Sequence, residues 1–287
     1  MKSLKIRLIG GLGNQLFQVA FGYSLGRIYS KPVIYDISAF KNYKLHKLVV
    51  DKLFPNMPFI NIKKNIFQIP IKEKYCGFDE MLFQRITNSL IYRNIYLSGY
   101  FQSLAYFSNE MAAIKIQIKE SIELLFPTLK KDFLKNKLSN TLGVHIRRGN
   151  KAKKFYSNIY GNLTIEEISQ NINSIYYQGD YKNILLVGDD IQFLKKLRYK
   201  LNSNIKINLI NEISSENNDL IDFYLLSLVK GLVISNSTFS LWAGYLSDNK
   251  VFYPEPFYPL PRNKSFLNHN HEDLIYPNWI PYKVKYS

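Results

Sequence analysis

Four short segments of this 287-residue chain carry polar residues in patterns that can do chemistry, and each directly follows an apolar run of strand length. They are GGLGNQ at 10–15, HIRRGN at 145–150, VGDD at 187–190 and SNSTFS at 235–240. In the first, Gly10, Gly11 and Gly13 let backbone N–H groups approach a ligand where a helix N-terminus would favour an anion. The spacing is not GxGxxG, and the ribose-binding acid expected about 20 residues on would have to be Asp36, a poor match to that fingerprint. The competing role is a plain tight turn with Asn14 as a helix cap. In HIRRGN, a persisting strand would put His145 and Arg147 on one face and Ile146 and Arg148 on the other. Paired arginines at a strand end suit bidentate clamping of a phosphate or pyrophosphate, against the alternative of a surface salt-bridge pair. Lys151, Lys153 and Lys154 follow without a neighbouring acid in sequence.

Asp189 and Asp190 end VGDD, where a carboxylate can accept from a sugar hydroxyl or act as a base. It can equally cap the following helix, a role that suits Asp190 before IQFLKKL. Ser235, Asn236, Ser237 and Thr238 gather hydroxyls, an amide and helix N-terminal N–H groups into a second anion site, with simple Ser/Thr capping as the alternative. This segment is not G-x-S-x-G.

Other chemistries are excluded by what is missing. No two aspartates are separated by a single residue, so there is no DxD. The HNHED run at 269–273 has ligand-type residues, but in a proline-flanked coil that makes a poor metal site. A single cysteine, Cys76, rules out an intrachain disulfide framework and a thiolate metal cage.

The elements that must position these groups follow from periodicity. LKIRLIG, the glycine turn, NQLFQVAFGYSLGRIYS with helical spacing of Leu16, Ala20 and Tyr23 and of Phe17, Phe21 and Leu25, then VIYDI, make a βαβ opening. Residues 41–75 show little pattern, and SLAYFSNEMAAIKIQIKESIELLF reads mostly as helix ended by Pro127. After the basic stretch 128–140 the pattern restarts. LGVHI, NILLVGDD, KINLI, LVISNS and VFYP are strands, alternating with helices in TIEEISQNINSIYY, IQFLKKLRYKL, NDLIDFYLLSLVKG and TFSLWAGYLSD. The expected fold is α/β with two Rossmann-like doubly wound domains, 1–135 and 136–287, and a ligand cleft between them at the carboxyl ends of the strands.

Charge narrows the partners. Lys+Arg 38 against Asp+Glu 22 gives +16. Residues 41–75 hold eight Lys and two acids, and 130–154 hold nine Lys/Arg and one acid, so these two segments account for +14 of it. Nucleic acid, an anionic membrane surface or a phosphorylated small molecule would each suit such a balance. A nucleic-acid module normally shows a helix, finger or aromatic sheet motif besides charge, and none is visible. No apolar run reaches the roughly 20 residues of a membrane span. Lys2, Lys5 and Arg7 interrupt the N-terminal apolar residues, so the start does not read as a signal peptide. A cytoplasmic protein is expected.

Taken in order, GGLGNQLFQVAFGYSLG, LSGYFQSLAYF at 97–107, HIRRGN, VGDDIQFLKKL, DFYLLSLVKGLVISNSTFSLWAGYL at 222–246 and the closing WIPY resemble the bacterial α-1,2-fucosyltransferases, glycosyltransferase family 11. The resemblance covers nearly the whole chain and implies a GT-B-like fold. It also implies GDP-β-L-fucose as donor, an α-1,2 product on a galactose-containing glycan such as a lipopolysaccharide precursor, and no divalent metal. By the same resemblance the mechanism is a single inverting displacement. Arg147 would stabilise the departing β-phosphate, helped by Arg148, by Ser237, Thr238 and Phe239 at the helix start, and by Gly11, Gly13 and Asn14 from the other half. His145 and Asp222 would contact the nucleoside, and Asp190 joins the donor set.

Asn150 stands where the family usually has Asp, and Gly188 where it commonly has Ser, so the general base is left without a candidate. The alternatives are a related fucosyltransferase of different linkage and a non-enzymatic basic module for nucleic acid or glycan. The +8 segment contains the paired arginines. The +6 segment lies in the expected acceptor half, where contact with an anionic inner-membrane surface is expected.

Overall fold

The computed structural model describes residues 3–62, 68–74, 77–127, 138–148, 163–213, 218–258 and 271–286. The chain forms two compact units, Met1–Ser121 with Asn263–Tyr276, and Ile122–Arg262 with Pro277–Ser287. The division therefore falls at 121/122 rather than 135/136, and the chain passes back to the first unit late in its length before returning to the second.

The first unit is built on a parallel sheet of β1 (Leu4–Arg7), β2 (Val33–Asp36), β3 (Phe59–Ile60), β4 (Ile69–Lys72) and β5 (Ile95–Ser98), in the order β3-β2-β1-β5-β4. Helix α1 (Leu12–Tyr29) crosses from β1 to β2 and is buried almost throughout from Leu12 to Leu25. A helix buried on nearly all sides cannot carry unpaired charge, which explains the lack of charged residues in LFQVAFGYSL. Helix α2 (Glu80–Tyr92) is capped by Asp79, whose carboxylate accepts from Leu82 N at 2.9 Å, and leads into β5. Helix α3 (Met111–Leu125) follows two 3₁₀ turns at 104–110, so the helix expected to begin at 103 starts eight residues later.

The second unit contains β6 (Thr141–Ile146), β7 (Asn183–Gly188), β8 (Lys206–Leu209), β9 (Gly231–Val233), β10 (Lys250–Glu255) and β11 (Ile280–Lys283). All pair in parallel in the order β11-β10-β9-β6-β7-β8. This is the 3-2-1-4-5-6 arrangement of dinucleotide-binding sheets, and its order reverses between β6 and β9. The crossovers are α4 (Ile165–Gln178), α5 (Ile191–Lys200), a short α6 (Ile210–Ile213), α7 (Asp219–Leu228) and α8 (Thr238–Leu246). Thr164 and Glu167 close a reciprocal capping box at the start of α4, as the TIEE run dictates. Leu142, Val144, Ile184 and Leu186 of the sheet pack against Ile172, Leu194 and Leu197 of α4 and α5 to form the core. Among the described residues no helix is long and apolar enough to cross a membrane.

Gly188, one of the two expected departures from the family pattern, is fixed by the β6–β7 register. It lies opposite Ile146, and a Cβ on it would fall 2.3 Å from the Ile146 carbonyl oxygen. Backbone cannot swing aside as a side chain can, so Gly188→Ala should destabilise by about 2–3 kcal/mol through overpacking. Urea melts of the variant check this, and an unchanged midpoint would show that the strand ends yield freely.

Candidate active site

The polar segments converge at the carboxyl ends of the two sheets, and each sheet presents them beside the point where its strand order reverses. In the second unit a cavity opens at the ends of β6 and β9, lined by His145, Arg147, Arg148, Ser235, Asn236 and Tyr282 among others. His145 is buried, with Nδ1 3.1 Å from Ser235 Oγ and its ring stacked on Phe239 at 5.0 Å between centroids. Phe239 in turn meets Phe223 of α7 edge-on at 5.6 Å, so α7 and α8 together hold the imidazole's neighbour. Ser240 Oγ donates to the carbonyls of Ser235 and Ser237 and ties the SNSTFS turn to its own helix.

The two arginines lie past the last residue of β6, so strand alternation does not govern them. Arg147 Nη1 pairs with Asp189 Oδ2 at 2.7 Å, while Asp189 Oδ1 accepts from Arg148 N at 2.8 Å. One carboxylate thus holds both the side chain of the first arginine and the backbone of the second. Arg148 lies over the Phe193 ring at 4.1 Å, with Nε 3.9 Å from Asp190 Oδ2 and without a hydrogen-bond partner among the described residues. The salt-bridge alternative for this pair is therefore also true: Arg147 is ion-paired, though it has further N–H donors to present.

Asp190 is the N-cap of α5, its Oδ1 accepting from Phe193 N at 3.0 Å, which is the capping role named as the alternative for it. Ser237 occupies the N-cap of α8 but makes no side-chain capping bond, and Thr238 opens the helix. Asp222 lies on α7 next to Phe223. Burial pushes its carboxyl up to about 7, with the Asp219 charge adding to the shift. It does not line the cavity with His145. Gly149, Asn150, Lys151, Lys153 and Lys154 lie outside the described residues, as do 269 and 270 of the HNHED run. Asp273 of that run accepts from Phe78 N at 2.9 Å. Among the described residues no cluster of three or more His, Cys, Asp or Glu could hold a metal ion.

In the first unit the GGLGNQ segment is the start of α1 itself. Gly10 has φ +96°, a left-handed conformation that favours glycine, and a Cβ there would lie 2.7 Å from Asn14 Nδ2. Gly11 is the N-cap, and Gly13 is buried in the first turn. Asn14 is not the cap expected as one alternative: it sits inside the helix, and its Oδ1 accepts from Gln102 Nε2 at 2.9 Å. Gln15 and Gln18 are fully buried. Gln15 Nε2 donates to the carbonyls of Gly10 and Lys47, both at 2.8 Å, while its Oε1 accepts from the N–H groups of Val49 and Val50. Gln18 Nε2 donates to Gly99 O at 2.8 Å, and Oε1 accepts from Ile9 N. Two glutamines thereby join three separate loops at the carboxyl edge of the sheet. Asp36 accepts from Ser38 N, Ile62 N and the Tyr96 hydroxyl, so it organises loops rather than offering itself to a ribose.

Sequence reasoning missed the bridging role of Asp189 and also Tyr282, whose hydroxyl donates to Ile234 O at 2.8 Å and braces the end of β9. A resemblance in the closing WIPY was the one signal for Tyr282. Gln102 was likewise unmarked.

Similarity to known proteins agrees with this architecture. The chain is 28% identical over 303 residues to an alpha-1,2-colitosyltransferase of Escherichia coli, covering 93% of this chain and 96% of that protein. It is 26% identical to the O-antigen biosynthesis glycosyltransferase WbnK of the same organism, covering 95% and 98%. Among solved structures, Arabidopsis thaliana FUT1 in complex with GDP aligns with TM-score 0.54 at 14% identity, over 91% of this chain and 71% of that one. The α-1,6-fucosyltransferase NodZ co-crystallised with GDP aligns with TM-score 0.50 at 13% identity, over 86% and 93%. These structural likenesses concern the fold, which is of the GT-B-like class. The model of glycosyl transferase family 11 matches residues 3–283, and with its arginine-bearing strand end, its buried histidine and its doubly wound sheets the chain belongs to that family.

Proposed function

We propose that this glycosyltransferase moves L-fucose from GDP-β-L-fucose to the 2-hydroxyl of a galactose-terminated glycan, with inversion, forming an α-1,2 linkage. The observation that carries the reading is the cavity at the β6–β9 switch point, lined by Arg147, Arg148 and by Ser235 and Asn236, which lead into α8. In this reading the diphosphate lies against those cations and N–H groups and needs no divalent ion, while His145 and Asp222 serve the nucleoside.

As the bond from the anomeric carbon to the β-phosphate oxygen breaks, its electron pair leaves with the phosphate and the acceptor oxygen closes on the opposite face. Donors already aimed at the growing negative charge supply the acceleration, because they need no reorganisation at that moment. Asp189 and Asp190 are held by the arginine turn and the α5 cap, so in this reading neither is the base and the acceptor proton passes to water on the acceptor's own face.

A second reading is favoured by the colitosyltransferase relative: colitose is the 3-deoxy counterpart of L-fucose, so the same site would serve a GDP-linked 3,6-dideoxy sugar. Parallel incubations of a β-galactoside with GDP-fucose and GDP-colitose, with NMR of the product, test both. An α-1,2-fucosyl product is expected. Transfer of colitose alone would replace the donor, and another linkage would remove the α-1,2 assignment.

A further inference from the structure

Strands β9, β10 and β11 reach the cavity of the second unit at their carboxyl ends, and the ladder between β9 and β10 has one bond there that cannot form. In a parallel pair each bonding residue donates to one, and accepts from the other, of the two residues that flank the one opposite it. Val233 lies opposite Phe252, so the next residue, Ile234, comes opposite Tyr253. Ile234 N accordingly donates to Phe252 O at 2.9 Å. The return bond to Ile234 O would come from the nitrogen of residue 254, but that residue is Pro254, which has no N–H. Ile234 is fully buried, and a buried carbonyl left without a donor is costly.

The donor comes instead from β11. Tyr282 is opposite Pro254 in the β10–β11 register, and its hydroxyl reaches across β10 to donate to Ile234 O at 2.8 Å. Two bonds hold β11 in place beside it: Val284 N donates to Glu255 O at 3.0 Å, and Asn171 Nδ2 of α4 donates to Lys283 O at 3.2 Å. Burial raises the Tyr282 phenol above its ordinary range, so the hydroxyl keeps its proton.

What this bond fixes is the turn that enters the cavity. A peptide unit is planar, so pinning Ile234 O also sets the direction of Ser235 N–H. Ser235 Oγ lies 3.1 Å from His145 Nδ1, and Ser235 O accepts from Ser240 Oγ at 2.9 Å and from Ser237 N at 2.7 Å. Ser235 and Asn236 line the cavity together with Arg147 and Arg148. We propose that Tyr282 is a positioning residue for the nucleotide: its hydroxyl replaces the ladder N–H that Pro254 withholds from Ile234, and so holds Ser235 and Asn236 in the geometry that receives the diphosphate. This rests on the reading of the cavity as the donor site and assigns a residue that shapes that site through the turn.

The test is a double-variant cycle read on the nucleotide. GDP affinity is measured by calorimetry for wild type, Tyr282→Phe, Pro254→Ala and the double variant, and initial rates are taken with GDP-fucose and a β-galactoside varied in turn. Tyr282→Phe keeps the ring and removes the hydroxyl, so it should weaken GDP binding and raise the donor KM by about fivefold or more, the scale of one hydrogen bond lost from a buried carbonyl. The acceptor KM should stay within about twofold. Pro254→Ala gives residue 254 an N–H on the side of Ile234 O. In that background the Tyr282→Phe change should cost less than about twofold in GDP affinity, because both substitutions act on one carbonyl. A tyrosine that serves stability alone would lower the melting temperature and leave GDP affinity unchanged, and that result would overturn the proposal. So would equal rises in donor and acceptor KM, or a Tyr282→Phe penalty of the same size in both backgrounds. Should Tyr282→Phe alone not fold, the double variant carries the test: it should fold and bind GDP as Pro254→Ala does, and failure in either would overturn the exchange of donors. A wild-type protein that binds GDP but transfers no fucose would instead overturn the donor sugar of the reading above and leave this proposal standing, since the cycle is read on GDP.

Discussion

Arg147→Ala should reduce turnover at least ~10²-fold in a GDP-release assay, the scale on which removal of one preorganised transition-state donor acts. The geometry adds a second reason. Arg147 Nη1 holds Asp189 Oδ2 at 2.7 Å, and truncation leaves that carboxylate, among the described residues, with Arg148 N as its partner, beside the cavity proposed for the diphosphate. The variant therefore loses a cation and uncovers an anion at one place. Folding should hardly change: the two side chains are 32% and 22% exposed, and partly exposed pairs contribute about 1 kcal/mol or less. A large loss of rate with a melting temperature near wild type is the expected combination. Arg147→Lys should recover little, because an ammonium cannot hold Asp189 and a phosphate oxygen in the planar fork that a guanidinium offers. Near-wild-type transfer by Arg147→Ala would sink the assignment of the leaving-group stabiliser.

The second half of the chain was legible where strand and helix signals agreed. LGVHI, NILLVG and KINLI became β6, β7 and β8, and the Thr164 capping box, readable in TIEE, starts α4 as written. The first half was less legible because its strands break the usual pattern. β3 is only two residues long, and β4 carries Pro70, which is tolerated because β4 is the edge of its sheet. β11 was missed for the same reason, having Pro281 in an edge strand. Start and stop signals failed where tertiary bonds replaced local ones: α1 begins at Leu12 with no side-chain cap, its entrance fixed instead by Gln15 reaching to Gly10 and Lys47. The same distinction separates the site residues that sequence pattern could mark from those it could not. Arg147 and His145 are visible as residue types at a strand end. Asp189 binding Arg147 and Gln102 binding Asn14 join positions 42 and 88 residues apart, and no local spacing encodes such pairs.

Asp222→Asn should make the protein more stable at pH 8 while weakening its hold on GDP. The Asp222 carboxyl is raised from 3.8 to about 7, first by burial and then by the neighbouring Asp219 charge, and its carboxylate accepts no hydrogen bond among the described residues. The sign follows from proton binding. Between about pH 4 and 7 the folded state holds this proton more tightly than the unfolded chain, so stability is greatest at low pH and declines as pH rises through that window. Above pH 7 the folded protein carries a buried charge, and the shift corresponds to about 4 kcal/mol as an upper figure. Asparagine matches the protonated acid in shape and never ionises. The melting-temperature advantage of the variant over wild type should therefore be several degrees at pH 8 and shrink towards zero near pH 4, a difference that cancels titrations common to both proteins. Residues placed against stability in this way are commonly retained for binding or chemistry. In the proposed function the ionised carboxylate accepts from the N–H edge of guanine, and exchange for an amide puts a donor against a donor. GDP affinity measured by calorimetry should fall by about tenfold or more in the variant. In wild type it should weaken as pH drops below 7, while the variant shows no such dependence. A variant that is no more stable at pH 8 would show that Asp222 is not a charge held at a cost. One that gains stability and binds GDP normally would keep the electrostatics and remove Asp222 from the nucleoside site.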